Sequence, residues 1–208
     1  MRIQKAEAER VVEGAGSKPE RIELLGAMLG RSTGEPVVIV GGSAIEVYTA
    51  GRTSSSDIDI VAPRVPAVEV IESWGFKHSG RVWRRADWNI DIDLLGEVLS
   101  GSRLKLQRRM TVYGPVYLLG VEDLLIKRLA ELKHGYVSNR EWRRDLQRQI
   151  RLLLSEYGND LDASYLAFVA RRDDVVDILA DFRSHSARPR TSPKANKPVR
   201  ERRNRNIS

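Results

Sequence analysis

The sequence predicts an α/β domain followed by a helical part. Three observations carry the prediction. Between residues 33 and 120, short apolar runs of strand length alternate with helical segments. From Val121 onward apolar residues recur only at helical spacing. From Arg183 they almost disappear. The 208 residues suit one domain, or a small α/β domain with a helical extension. The chain divides accordingly into N-terminal helices (1–32), an α/β core built on a small mixed sheet (33–120), a C-terminal helical domain (121–182) and a disordered basic tail (183–208).

Residues 1–13 read as a helix. Ser17 and Glu20 then form a capping-box pattern ahead of a helix bearing Ile22, Leu24, Leu25, Met28 and Leu29 at helical spacing. Glu35-Pro36 ends the link. The unbroken apolar run PVVIV reads as a strand covered on both faces. It stops at Gly41-Gly42, and Ser43 is placed to cap a short helix over AIEVYTAG. DIDIVAP predicts a second strand, VPAVEVIESWGF a helix, RVWRRAD and WNIDIDLLG two more strands, and VYLLGVED a last short strand running into a helix. VEDLLIKRLAELK, REWRRDLQRQIRLLLSEY and DASYLAFVARRDDVVDILADF each predict an amphipathic helix. No internal repeat occurs.

Composition removes several chemistries. Without cysteine there is no disulfide, no thiolate metal site and no thiol nucleophile. No apolar run approaches the roughly 18 residues that a membrane span needs, and the N-terminus lacks an apolar signal core. The expectation is a cytoplasmic protein with no membrane partner. The net charge of +7 is unevenly distributed. Residues 183–208 hold nine Lys or Arg and one Glu, hence +8, which leaves −1 for the rest. Such a tail reads equally well as a solubilising appendage and as an RNA- or DNA-attracting one.

Two predicted strands carry acids at i and i+2, which places their side chains on one face. Asp57 and Asp59 share a face in DIDI, and Asp91 and Asp93 share one in NIDIDLL. Carboxylates side by side in apolar strands cost repulsion and desolvation, and a cation offsets that cost. Hard divalent ions such as Mg²⁺ or Mn²⁺ prefer oxygen ligands and combine carboxylates with substrate phosphates. Gly41, Gly42 and Ser43 sit at a strand-to-helix turn, where glycines allow close backbone approach and a helix start offers free N–H groups. A phosphate cradle facing a carboxylate set is what phosphoryl-group chemistry requires.

GGS, 13 residues, DIDI and a later acidic strand resemble the minimal nucleotidyltransferase domain of the DNA polymerase β superfamily. Within it the chain is similar to small prokaryotic AbiEii-related proteins, whose helical half has a Lys-bearing helix and a basic helix containing an Asp, matched here by Leu125-Ile126-Lys127 and Arg143-Arg144-Asp145. The resemblance covers about residues 35–180. It implies a nucleotidyltransferase core, with Gly41, Gly42 and Ser43 on the triphosphate, Asp57 and Asp59 as metal ligands, and a third carboxylate that helps activate the acceptor hydroxyl. That third group is Asp93, whose setting Ile92-Asp93-Leu94-Leu95 fits the family form best, or alternatively Asp91. Lys127 is expected on a nucleotide phosphate and Asp145 in catalysis; each reads equally well as an ordinary helix-surface residue. Arg52 is placed in reach of a triphosphate, although a solvated arginine is the commoner occurrence.

Trp74, Trp83 and Trp88 read as packing, and His78, His134 and His185 form no ligand pattern. Gly14-Ala15-Gly16 follows no strand, so it is no dinucleotide fingerprint, and no P-loop occurs. The expected activity is Mg²⁺-dependent transfer of a nucleoside monophosphate from an NTP to a hydroxyl on RNA, protein or a small molecule, releasing pyrophosphate. The alternatives are a toxin–antitoxin component acting with a protein partner, and a non-catalytic nucleotide- or RNA-binding protein that retains the fold.

Overall fold

The computed structural model describes residues 2–135 and 139–186, apart from the side chains of 185 and 186. Its centre is a seven-stranded mixed sheet. In chain order the strands are β1 (Val38–Ile39), β2 (Ile58–Val61), β3 (Lys77–Ser79), β4 (Val82–Arg85), β5 (Ile90–Gly96), β6 (Gln107–Thr111) and β7 (Gly114–Leu118). Their spatial order is β3-β4-β5-β2-β1-β7-β6. The apolar run of β1 lies at the interior of the sheet, antiparallel to β2 and parallel to β7. β2 runs parallel to β5, which sets Asp59 directly beside Asp93. β3, β4 and β5 form an antiparallel series, and β6 pairs antiparallel with β7.

Two strands have no counterpart in the sequence reading. β3 and β6 lie at the two edges of the sheet and expose nearly every residue, so neither carries an apolar alternation.

Four helices belong to the α/β part: α1 (Lys5–Gly14), α2 (Lys18–Thr33), α3 (Gly41–Tyr48) and α4 (Arg64–Ser73). Ser17 caps α2, accepting from the Glu20 N–H at 3.3 Å, while the Glu20 carboxylate accepts from the Gly16 N–H at 2.8 Å, one residue earlier than a strict capping box. Ile22, Leu25, Met28 and Leu29 of α2 are fully buried, whereas Leu24 is half-buried. α1 and α2 are continuous with the core and do not form a separate layer of their own: one hydrophobic cluster runs from Ile3 and Val12 through the sheet to Leu179.

The helical part comprises α5 (Val121–His134), α6 (Arg140–Tyr157), α7 (Ala163–Arg172) and α8 (Val176–Ser186). The single helix expected over DASYLAFVARRDDVVDILADF is therefore two. Asp173 caps α7, and Asp174 adopts a left-handed backbone with φ of 53°, which ends the helix. The helical part also continues past 182 to Ser186. It is tied to the core by a hydrogen bond, the Tyr157 hydroxyl donating to the Tyr48 carbonyl at 2.9 Å. Most of the basic stretch, residues 187–208, lies outside the described residues. Among the described residues, no helix is long and apolar enough to cross a membrane.

Candidate metal centre

Asp57 immediately precedes β2, Asp59 lies within it, and Asp93 stands opposite Asp59 on β5. One oxygen from each of the three carboxylates lies within 4.8 Å of the others. Strand alternation produces the cluster. Ile58 and Ile60 turn into the core on one face of β2, as Ile92 does on β5, and the acids share the opposite face.

The GGS turn holds this cluster in place, and it does so differently from the sequence expectation. α3 begins at Gly41 with Val40 as its cap residue, so Ser43 is not the helix cap. Ser43 is wholly buried, and its hydroxyl donates to the Asp57 carbonyl at 2.6 Å while accepting from the Asp59 N–H at 3.0 Å. Its donated bond goes to the residue just before β2 and its accepted bond comes from within β2, so Ser43 positions the acids. The Gly42 N–H donates to Asp59 Oδ2 at 3.0 Å, so Asp59 itself occupies a free donor of the helix start. Gly41 has φ of +57°, and a β-carbon there would overlap Asp59 Oδ2 and stand 2.8 Å from its Cγ. A β-carbon on Gly42 would lie 2.8 Å from Ser55 Oγ. The glycine pair thus makes room for β2 and for the loop before it. That loop is pinned by buried Glu46 of α3, which accepts from the Ser55 N–H at 2.7 Å and from Lys18 at 2.9 Å.

The electrostatics favour a cation. Burial pushes the Asp59 carboxyl up to about 6, with help from the Asp57 and Asp93 charges and against the pull of Arg128 and the Gly42 N–H. Burial also raises Asp93; the Arg81 charge opposes the shift and that of Asp57 adds to it. Asp93 is 3% exposed, and its Oδ2 is closed to solvent without an aligned hydrogen bond. A positive group already stands over the cluster. Arg81, at the tip of the β3–β4 hairpin, places Nη2 at 3.2 Å from Asp57 Oδ2 and Nε at 3.0 Å from Asp93 Oδ2. Its side chain is 74% exposed, so it is not packed into that position. Three carboxylates that already draw one cation, with one of them almost wholly buried, suit a hard divalent ion.

The remaining predicted residues fall elsewhere. Asp91 is held by Arg84 of β4 in a two-point pair at 2.8 and 2.6 Å, which keeps its carboxyl below the usual range, and it lies outside the three-carboxylate cluster. Arg52 bonds to Glu156 of α6 and to the Thr49 carbonyl, so it braces the end of α3. The Asp173 carboxyl at the end of α7 is held low by its bond to Arg172, and the Lys127 charge adds weakly to that. Its neighbour Arg128 is the basic group by the site: Arg128 Nη2 would stand 3.6 Å from a Gly42 β-carbon, and its charge bears on Asp59. Arg128 pairs with Glu131 through Nη1, while its Nε is buried without a partner. Asp145 accepts from Gln149 at 2.7 Å within α6. Glu46, Arg81 and Arg128 were not singled out in the sequence. A helix acid, a hairpin arginine and a salt-bridged helix arginine carry no local signal of their own.

Comparison of the chain with protein-family models, with curated proteins and with solved structures returns no match.

Proposed function

We propose that this protein is a metal-dependent nucleotidyltransferase, which moves a nucleoside monophosphate from an NTP to an acceptor hydroxyl and releases pyrophosphate. The observation that carries the reading is the convergence of Asp57, Asp59 and Asp93 from adjacent parallel strands, within 4.8 Å, on a glycine turn built around them. Divalent ions held there would polarise the α-phosphate and balance the charge of the departing pyrophosphate. The chain's own residues do the rest. Ser43 and the Gly42 N–H hold Asp59 so that its oxygen faces Asp57 and Asp93. Asp93, with a raised carboxyl and a buried Oδ2, accepts the proton as the acceptor oxygen bonds to the α-phosphorus and the bond to the bridging oxygen breaks. Arg128, whose Nη2 approaches the Gly42 position of the turn, would bind the triphosphate, and Asp57 and Asp93 would exchange Arg81 for the metal.

The test is NTP binding by calorimetry, with Mg²⁺ or Mn²⁺ and with EDTA, together with label transfer from each α-labelled NTP into cell-extract fractions. Metal-dependent binding and a labelled fraction are expected. Equal NTP affinity with and without metal would overturn the site.

A further inference from the structure

At the leading ends of β2 and β5 the chain encloses a cavity of about 720 Å³. Its walls come from the first turns of α2, from the Ser54–Ser56 loop and from the stretch that joins β4 to β5; Asp57 lines it and belongs to the carboxylate cluster as well. The volume falls in the range of roughly 300–1,000 Å³ common to small-molecule sites. Four cations reach the cavity, and three have their charge matched. Lys18 pairs with Glu46, Arg84 with Asp91, and Arg85 with Glu9 and Asp87. The fourth, Arg21, has a side chain that forms no ion pair or hydrogen bond among the described residues, and its Nε is closed to solvent. A buried guanidinium nitrogen without an acceptor is costly. The Nη groups are not closed off in this way, and the planar guanidinium matches a phosphate in a two-point contact through them.

We propose that this cavity binds a small hydroxyl compound bearing a phosphomonoester, with the phosphate on Arg21 and the hydroxyl directed toward Asp57, and that it is the acceptor subsite. The acceptor role rests on the nucleotidyltransferase reading; the phosphate site does not. Since Asp57 borders both regions, a hydroxyl at that end of the cavity stands beside the carboxylates while the phosphate stays on the α2 side.

The probes are inorganic phosphate, glycerol phosphate, acetate and a single-stranded oligonucleotide, titrated in EDTA against the full chain and its Arg21→Gln and Arg21→Lys variants. Glycerol phosphate is expected to bind without metal and to bind Arg21→Gln roughly tenfold or more weakly, the loss of a charge-assisted hydrogen bond. Arg21→Lys should recover part of the affinity, which separates lost charge from lost folding. The proposal is overturned by phosphate affinity that Arg21→Gln leaves unchanged, by acetate binding as tightly as phosphate, or by preference for the oligonucleotide over glycerol phosphate. If Arg21-dependent phosphate binding holds while no NTP transfers label, the phosphate site stands and the nucleotidyltransferase reading falls.

Discussion

Asp91 and Asp93 lie two residues apart on the same strand and the same face, yet they have opposite environments. Asp91 faces Arg84 across the β4–β5 pair, is ion-paired at two points and has a lowered carboxyl pKa. Asp93 faces Asp59 across the β2–β5 pair, is almost wholly buried and has a raised carboxyl pKa. The strand pattern is identical for both, so the cross-strand neighbour decides which acid has a partner built into the sheet and which sits among other acids under the exposed Arg81. A sheet can in this way hold one acid of an alternating pair as structure and free the other for chemistry.

The largest effect expected from this contrast is loss of transfer. Asp59→Asn and Asp93→Asn should each lower metal-dependent NTP turnover by on the order of 10³-fold, about 4 kcal/mol of transition-state stabilisation. Both variants should remain folded by circular dichroism, because asparagine keeps the shape and one acceptor oxygen. Turnover close to the parent in both would remove the cluster from the chemistry.

Gly41→Ala comes next. The new β-carbon would overlap Asp59 Oδ2, on a backbone with φ of +57°. Strain and displacement together should cost about 1–3 kcal/mol in denaturant unfolding and should weaken Mn²⁺ binding in step. Unchanged metal affinity in a destabilised variant would show that the turn supports the fold alone and does not set the position of Asp59.

Proton coupling at Asp59 should be smaller. Its folded carboxyl titrates near 6, above the ordinary 3.8, so the native apo protein binds the proton more tightly than the unfolded chain does. Apo stability should therefore fall as pH rises from about 4 to 6 and stay lower above that, by on the order of 1–3 kcal/mol. Asp59→Asn should remove that decline and melt higher than the parent at pH 7 without metal. A bound divalent ion needs the ionised form, so Mn²⁺ affinity should rise through pH 6. A flat stability curve between pH 4 and 7 would show that Asp59 has an ordinary carboxyl.

The features legible in the sequence were those written in local alternation or capping. DIDI and IDIDLL announce two half-acidic strands, PVVIV announces a covered one, and Ser17 announces the start of α2. The edge strands β3 and β6 were not legible because KHS and QRRMT bury almost nothing, so their pairing depends on neighbours and not on their own pattern. The break between α7 and α8 rests on a left-handed Asp174, a conformation asparagine or glycine would have signalled more clearly. Ser43 was recognised as part of the site, but a hydroxyl at a helix start can serve a ligand or the next strand, and only the third dimension shows its bonds to the backbone of Asp57 and Asp59. Arg128 was overlooked beside Lys127 for a related reason: adjacent helix positions differ by about 100° in direction, and sequence alone does not say which one faces Gly42.

The smallest effect belongs to Asp91, and it tests the comparison most directly. If the Arg84 pair satisfies Asp91 structurally, Asp91→Asn should change transfer by about twofold or less, the scale on which exposed ion pairs act. Arg84 is largely in solvent, so the melting temperature should move little as well. An Arg84→Ala variant supplies the complementary case. It leaves Asp91 charged and unpaired on the same face as Asp57, Asp59 and Asp93, which creates a fourth oxygen donor near the cluster. Mn²⁺ binding to Arg84→Ala should therefore be no weaker than in the parent, while the double variant Arg84→Ala with Asp91→Asn returns it to the parent value. If Asp91→Asn instead abolishes turnover while Asp93→Asn is mild, the roles of the two acids are reversed, and the Arg84 pair is a resting arrangement that substrate opens.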